Sequence, residues 1–147
     1  MKFNQIDKTI FKEPTSKKPS FSSEGHRKII LIDDDLGFVT FMRKLSKYYE
    51  DIYFFGCENA DHLDPSDFLN FDLAIIDYHL GNLNALQLVN YLHHFKGAIP
   101  TILISQSKVC KEEKLNWPSN VIDFIPKGNG GREIIEKSIS SFEKYIG

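Results

Sequence analysis

Five short apolar runs, at residues 29–32, 52–55, 73–76, 101–104 and 121–125, constrain this chain more than any other feature. Most of them do not alternate with polar residues. A strand that buries only one face alternates, whereas a strand covered on both faces of a parallel sheet does not. The stretches between the runs carry helical spacing instead. Phe38, Phe41, Met42, Leu45 and Tyr48 form one stripe, Leu88, Leu92 and Phe95 a second, and Ile135, Ile139, Phe142 and Ile146 a third. Strand and helix in alternation predict an α/β fold, with helices on both faces of a parallel sheet and right-handed crossovers.

Two crossovers read as weak. Asp64 and Pro65 predict a capped but brief helix ending near Leu69. Residues 108–120 hold few apolar side chains and include Trp117-Pro118, so a short or irregular helix is expected there. Trp117 is expected to pack over the sheet's edge.

The N-terminal part has a different texture. Residues 12–24 are polar, with prolines at 14 and 19, and read as linker. Before them Phe3, Ile6 and Ile10 would share one face of a short helix, though a frayed terminus explains them more simply. The division is therefore a basic, flexible extension over 1–27 and one folded domain over 28–147, a size that 147 residues allow. Residues 1–28 hold seven basic side chains against three acids, so they carry +4, while the rest carries −6 of the net −2. Scattered charges ahead of an acidic domain argue against direct nucleic-acid binding. No apolar run approaches the length of a membrane span or a signal peptide. Cys57 and Cys110 stand in no Cys-x-x-Cys pair, which argues against a disulfide framework or zinc site. A cytoplasmic protein with two free thiols is the simplest expectation.

In sheets of this kind ligands gather outside the C-terminal ends of the strands. The first run ends in Asp33-Asp34-Asp35, the third in Asp77, the fourth in Ser105, and the fifth continues through Phe124-Ile125-Pro126 to Lys127. Two carboxylates about 4 Å apart repel by roughly 4 kcal/mol at an effective dielectric near 20, so something must offset their approach. Carboxylate oxygens with room for water suit Mg²⁺, and Lys127 adds a further positive charge. A metal, an ammonium and a hydroxyl around one point are what phosphoryl transfer requires. Taken singly, Asp33–Asp35 could be only a capping turn with Asp35 as the N-cap, Asp77 a turn residue and Lys127 a solvated charge. Their coincidence on successive strand ends is what gives them weight.

That coincidence, over residues 28–145, resembles the receiver (CheY-like) domain of two-component response regulators. The resemblance implies a doubly wound, flavodoxin-like sheet of five parallel strands in the order 2-1-3-4-5. It implies that Asp33 and Asp34 hold Mg²⁺ together with Asp77 and the backbone carbonyl of His79. Asp77 would be the phosphoacceptor, Ser105 the switch hydroxyl that bonds the phosphoryl group, Lys127 the lysine that pairs with it, and Phe124 the aromatic that rotates on activation. The implied donor is a sensor histidine kinase or histidine phosphotransfer protein. The implied output is a downstream protein, engaged through the face of the fourth helix, fifth strand and fifth helix, with homodimerisation there as a further option. Such a domain labels itself and slowly loses the label rather than acting as an enzyme on other molecules.

Three departures stand out. Gly81 and Gly128 occupy positions where the family often has proline, and the run Gly128-Asn129-Gly130-Gly131 is expected to be mobile. Gln106, following Ser105, is bulkier than usual and could narrow access to Asp77. A receiver-shaped module that works without phosphorylation is therefore the alternative. Haloacid dehalogenase-type phosphatases also combine a strand-end Asp-x-Asp with a later Ser and Lys. They need a further acidic metal site after the lysine, where only Glu133, Glu136 and Glu143 on a helix remain, and they leave Asp77 unexplained. No output segment follows Tyr145, so action by itself and membership in a longer regulator both stay open.

Overall fold

The computed structural model describes residues 26–59, 63–81, 83–96, 99–107 and 116–147. The N-terminal segment through residue 25, Cys110 and most of the fourth crossover lie outside them, and with them the expectations for a terminal helix, a linker and an irregular fourth helix.

Strands β1 (Arg27–Ile32), β2 (Ile52–Cys57), β3 (Leu73–Asp77), β4 (Thr101–Ser105) and β5 (Val121–Pro126) form one sheet. Its order is β2-β1-β3-β4-β5 and every pairing is parallel. This is the expected flavodoxin-like arrangement. Helices α1 (Leu36–Ser46), α2 (Ala85–Lys96) and α3 (Gly131–Ile146) flank it, and a 3₁₀ turn at Pro65–Asn70 replaces a helix in the second crossover. Asp64 caps that turn: its carboxylate accepts from the Ser66 amide at 3.0 Å, and Asp67 returns the bond to the Asp64 amide at 3.3 Å.

The non-alternating runs are explained by burial on both faces. In β1, Ile30 and Ile32 point into a core shared with Phe55, Ile76, Leu103, Leu88, Val89 and the 3₁₀ turn's Phe68. Ile29 and Leu31 point into the opposite core, with Ile75, Ile102, Val39, Met42, Ile134 and Phe142. Both sets are fully or almost fully removed from water, which makes burial of apolar surface the main source of cohesion.

The first and third helical stripes require partial correction, and Leu92 and Phe95 of the second lie outside the described side chains. In α1 the buried positions are Val39, Met42 and Ser46. Phe38 and Leu45 flank them, whereas Phe41 is 53% and Tyr48 83% exposed. The helix ends at Ser46, so Tyr48 lies beyond its last turn and never joins the stripe. Ile146, the last helical residue of α3, is likewise exposed. The glycine run after β5 is a defined turn. Lys127–Asn129 form a 3₁₀ segment, Gly130 takes φ +97°, a conformation open to glycine, and Gly131 is buried at the start of α3.

One element has no counterpart in the expectations: a two-stranded hairpin of His79–Leu80 and Leu83–Asn84, directly after β3. Its turn contains Gly81 at φ +58°, which proline could not adopt.

Candidate functional site

The parallel order brings the C-terminal ends of β1, β3, β4 and β5 to one edge. Asp33 leaves β1 with its amide bonded to the Cys57 carbonyl at the end of β2 (3.1 Å). Its side chain is fully buried. Oδ1 accepts from the Asp35 amide at 2.9 Å, and Oδ2 lies 2.7 Å from the Lys127 ammonium. Asp77 ends β3, also buried, with Oδ2 3.6 Å from the same ammonium and Oδ1 accepting a long bond (3.4 Å) from the His79 amide. Asp34 stands at the exposed rim. Each of the three carboxylates offers an oxygen within 4.8 Å of the others.

Electrostatics follows from this crowding. Burial pushes the Asp33 carboxyl above its ordinary value, and the Lys127 ammonium only partly pulls it back. Burial raises Asp77 to about 6, helped by the negative charge of Asp33 and opposed by Lys127. Burial works against the charge on Lys127, but its contacts with Asp33 and Asp77 outweigh that, and its pKa is raised. The ammonium is sealed in, its side chain 6% exposed, with the Phe38 ring 4.5 Å away across α1.

Among the described residues, three carboxylates against one ammonium leave the cluster short of positive charge. A divalent cation fits that deficit. The donors are all hard oxygens, and Asp34 on the rim leaves room for water, so Asp33, Asp34 and Asp77 could hold a metal of the Mg²⁺ type. Asp35, the third of the acidic run, is spent elsewhere: its Oδ1 accepts the Phe38 amide at 3.2 Å and caps α1.

The other anticipated residues take varied places. Ser105 ends β4 with its hydroxyl almost fully buried, accepting from the Ser107 amide at 3.0 Å. Ile104 beside it pairs with Asp77, so Ser105 shares the carboxylate edge. Gln106 is exposed on the following turn. His79 is exposed, its ring edge-on to Tyr78 at 5.1 Å. Phe124 turns toward Trp117 (6.0 Å between ring centres), and Trp117 in turn meets Tyr78 at 6.1 Å. This aromatic run reaches from β5 to the residue after Asp77.

Three neighbours of the site were not singled out for it in the sequence. Phe38 was read as a core residue of α1, although it lies four residues after Asp34, one helical turn from the acidic run. Tyr78 is buried behind Asp77. A methyl group on Gly81 would lie 3.7 Å from Asp34 Oδ2, so the hairpin turn closes over the acidic rim.

A five-stranded parallel α/β domain with buried aspartates, a serine and a lysine on one sheet edge defines a narrow class of protein. Comparison of the fold agrees. No family model matches the chain, and no curated protein matches it in sequence. Among solved structures it is similar to the receiver domain of the Francisella response regulator 1452, at 17% identity and a TM-score of 0.67, covering 82% of this chain and 99% of that one. It is also similar to a CheY-like receiver domain protein of Methanospirillum hungatei JF-1 (15% identity, TM-score 0.64, 81% and 95% covered). A third is the signal receiver domain of a LuxO-type repressor protein from Vibrio parahaemolyticus (14%, 0.66, 81% and 92%). The chain has the CheY-like receiver-domain fold. No helix among the described residues is long and apolar enough to cross a membrane.

Proposed function

We propose that this chain is a response-regulator receiver domain that accepts a phosphoryl group on Asp77 in a Mg²⁺-dependent reaction. The observation that carries the reading is the Lys127 ammonium wedged between buried Asp33 and Asp77, beside the rim carboxylate of Asp34. The working domain begins with β1 at Arg27, one residue ahead of the 28–147 expected, and the segment before it is a basic extension.

Asp33, Asp34, Asp77 and the His79 carbonyl would hold the metal. Bound Mg²⁺ supplies charge to phosphoryl oxygens that protein groups alone leave unbalanced. The ionised carboxylate of Asp77 attacks phosphorus, forming a P–O bond as the bond from phosphorus to the donor's histidine nitrogen breaks. Lys127 and Ser105 take the phosphoryl oxygens, the first by charge and the second by its hydroxyl. Asp33 keeps Lys127 at the reacting edge before the donor arrives. Drawing Ser105 toward the phosphoryl group alters the β4 end, and Phe124, linked through Trp117 to Tyr78 beside Asp77, relays the change to the β5 and α3 face. Gln106 stands at the mouth and limits entry of donors and water. The donor is a sensor histidine kinase or phosphotransfer protein, the readout a cytoplasmic protein partner docking on that face.

The test is intact mass after incubation with acetyl phosphate, with Mg²⁺ or with a chelator, for wild type and Asp77→Asn. One added phosphoryl group that requires both Mg²⁺ and Asp77 is expected. No addition, under conditions that label a known receiver, would instead support an interaction module that works without phosphorylation.

A further inference from the structure

We infer that Phe38 is a positioning residue for Lys127: its ring holds the ammonium between Asp33 and Asp77. This rests on the phosphoacceptor reading above and assigns that site a part beyond its carboxylates, serine and lysine.

Four contacts form a closed circuit around the ammonium. Lys127 Nζ meets Asp33 Oδ2 at 2.7 Å. Asp33 Oδ1 accepts from the Asp35 amide at 2.9 Å, and Asp35 Oδ1 accepts from the Phe38 amide at 3.2 Å. The Phe38 ring then lies 4.5 Å from Lys127 Nζ, which closes the loop. The acidic run thus fixes both the carboxylate that binds the ammonium and the first turn of the helix that carries the ring.

An ammonium is a strongly hydrated point charge on a flexible four-carbon stem. Asp33 and Asp77 supply oxygens on one side, and the negative face of an aromatic ring replaces water on another. Phe38 is only half-buried and also touches the core beneath α1, so its side chain both packs and faces the charge. An aliphatic side chain of similar bulk would keep the packing and lose the charge contact. Without the ring, water competes for Lys127, and the stem samples positions from which it cannot meet an incoming phosphoryl group.

The experiment compares wild type, Phe38→Leu and Phe38→Tyr on the full chain, with two readouts. The first is the NMR position of the Lys127 ε-methylene protons, which reports the ring directly and needs no phosphorylation. They are expected upfield in wild type and Phe38→Tyr, and at ordinary values in Phe38→Leu. The second is the rate of labelling by acetyl phosphate. Phe38→Leu is expected to label about 2- to 30-fold more slowly, the span that loss of one cation–π contact covers, with unchanged Mg²⁺ dependence, and Phe38→Tyr to label at close to the wild-type rate. Ordinary proton positions in wild type overturn the inference. So does Phe38→Leu labelling as fast as wild type, or Phe38→Tyr slowing as much as Phe38→Leu, which would mark a packing role alone. If wild type itself takes no label, the phosphoacceptor reading fails, and the proton positions alone decide whether Phe38 places Lys127.

Discussion

Asp77 is held where a carboxylate is uncomfortable. With its pKa raised to about 6 against an ordinary 3.8, the folded protein binds a proton there more tightly than the unfolded chain does. Stability is then lost as pH rises from about 4 to about 6, because in that window the native state carries the extra proton, and it stays lower above it. In chelator at neutral pH, Asp77→Asn is therefore expected to raise stability, by on the order of 2 kcal/mol, in a urea melt. The gain should shrink below about pH 6 and vanish only about one unit below the ordinary 3.8, where the wild-type carboxyl is neutral in both states. Loss of stability on that substitution would mean that the charge on Asp77 is satisfied by the fold itself. The acidic residues, Ser105 and Lys127 were legible in the sequence because each sits at the end of an apolar run, where a parallel sheet puts its ligands. Phe38 and Tyr78 were not, since an aromatic residue by itself does not mark which of two surfaces it meets, and Gly81 stood out only as a departure from the family's usual proline. Phe38 could have been found by its place one helical turn beyond the acidic run.

At the level of elements, the packing of α3 against α1 depends on a missing side chain. A β-carbon at Gly131 would lie 2.7 to 2.9 Å from Phe41, Leu45 and Met42. Gly131→Val is expected to cost about 1–3 kcal/mol by overpacking, while Gly128→Val, where nothing lies within 4 Å, should stay within about 0.5 kcal/mol. Thermal melts of the two variants check the contrast, and equal losses would contradict it. The run of glycines also has structural uses that its composition does not name. Composition alone suggests mobility, but one glycine makes room for α1 and another supplies a positive φ at the helix start. The strands were legible as short apolar runs bounded by turn residues, too short for helices; burial on both faces accounts for four of them, while β5 is only half-buried over most of its length. The α1 stripe was drawn too wide because Phe41 sits at its edge and turns to solvent within the helix, and Tyr48 lies beyond the helix end at Ser46. The hairpin after β3 was invisible: two-residue strands carry no period.

For the whole molecule, the sheet edge and the two cores form a single balance. Apolar burial on both faces supplies the cohesion that lets three carboxylates gather at one end around the Lys127 ammonium. A divalent cation that binds only the folded arrangement stabilises it by mass action, and at 100 times the dissociation constant by about 2.7 kcal/mol. Millimolar Mg²⁺ is thus expected to raise the melting temperature of wild type, chelator to reverse it, and Asp34→Ala to abolish the shift. A melting temperature indifferent to Mg²⁺ would remove the metal from the proposal.

The central claim is that Asp77 becomes phosphorylated, and the most direct measurement locates the phosphoryl group. After incubation with acetyl phosphate and Mg²⁺, borohydride reduces an aspartyl phosphate to homoserine, which peptide mass spectrometry places in the chain. Homoserine at position 77, lost in chelator, is the expected result. Label found at another residue, or none beside a receiver that labels in parallel, would contradict it.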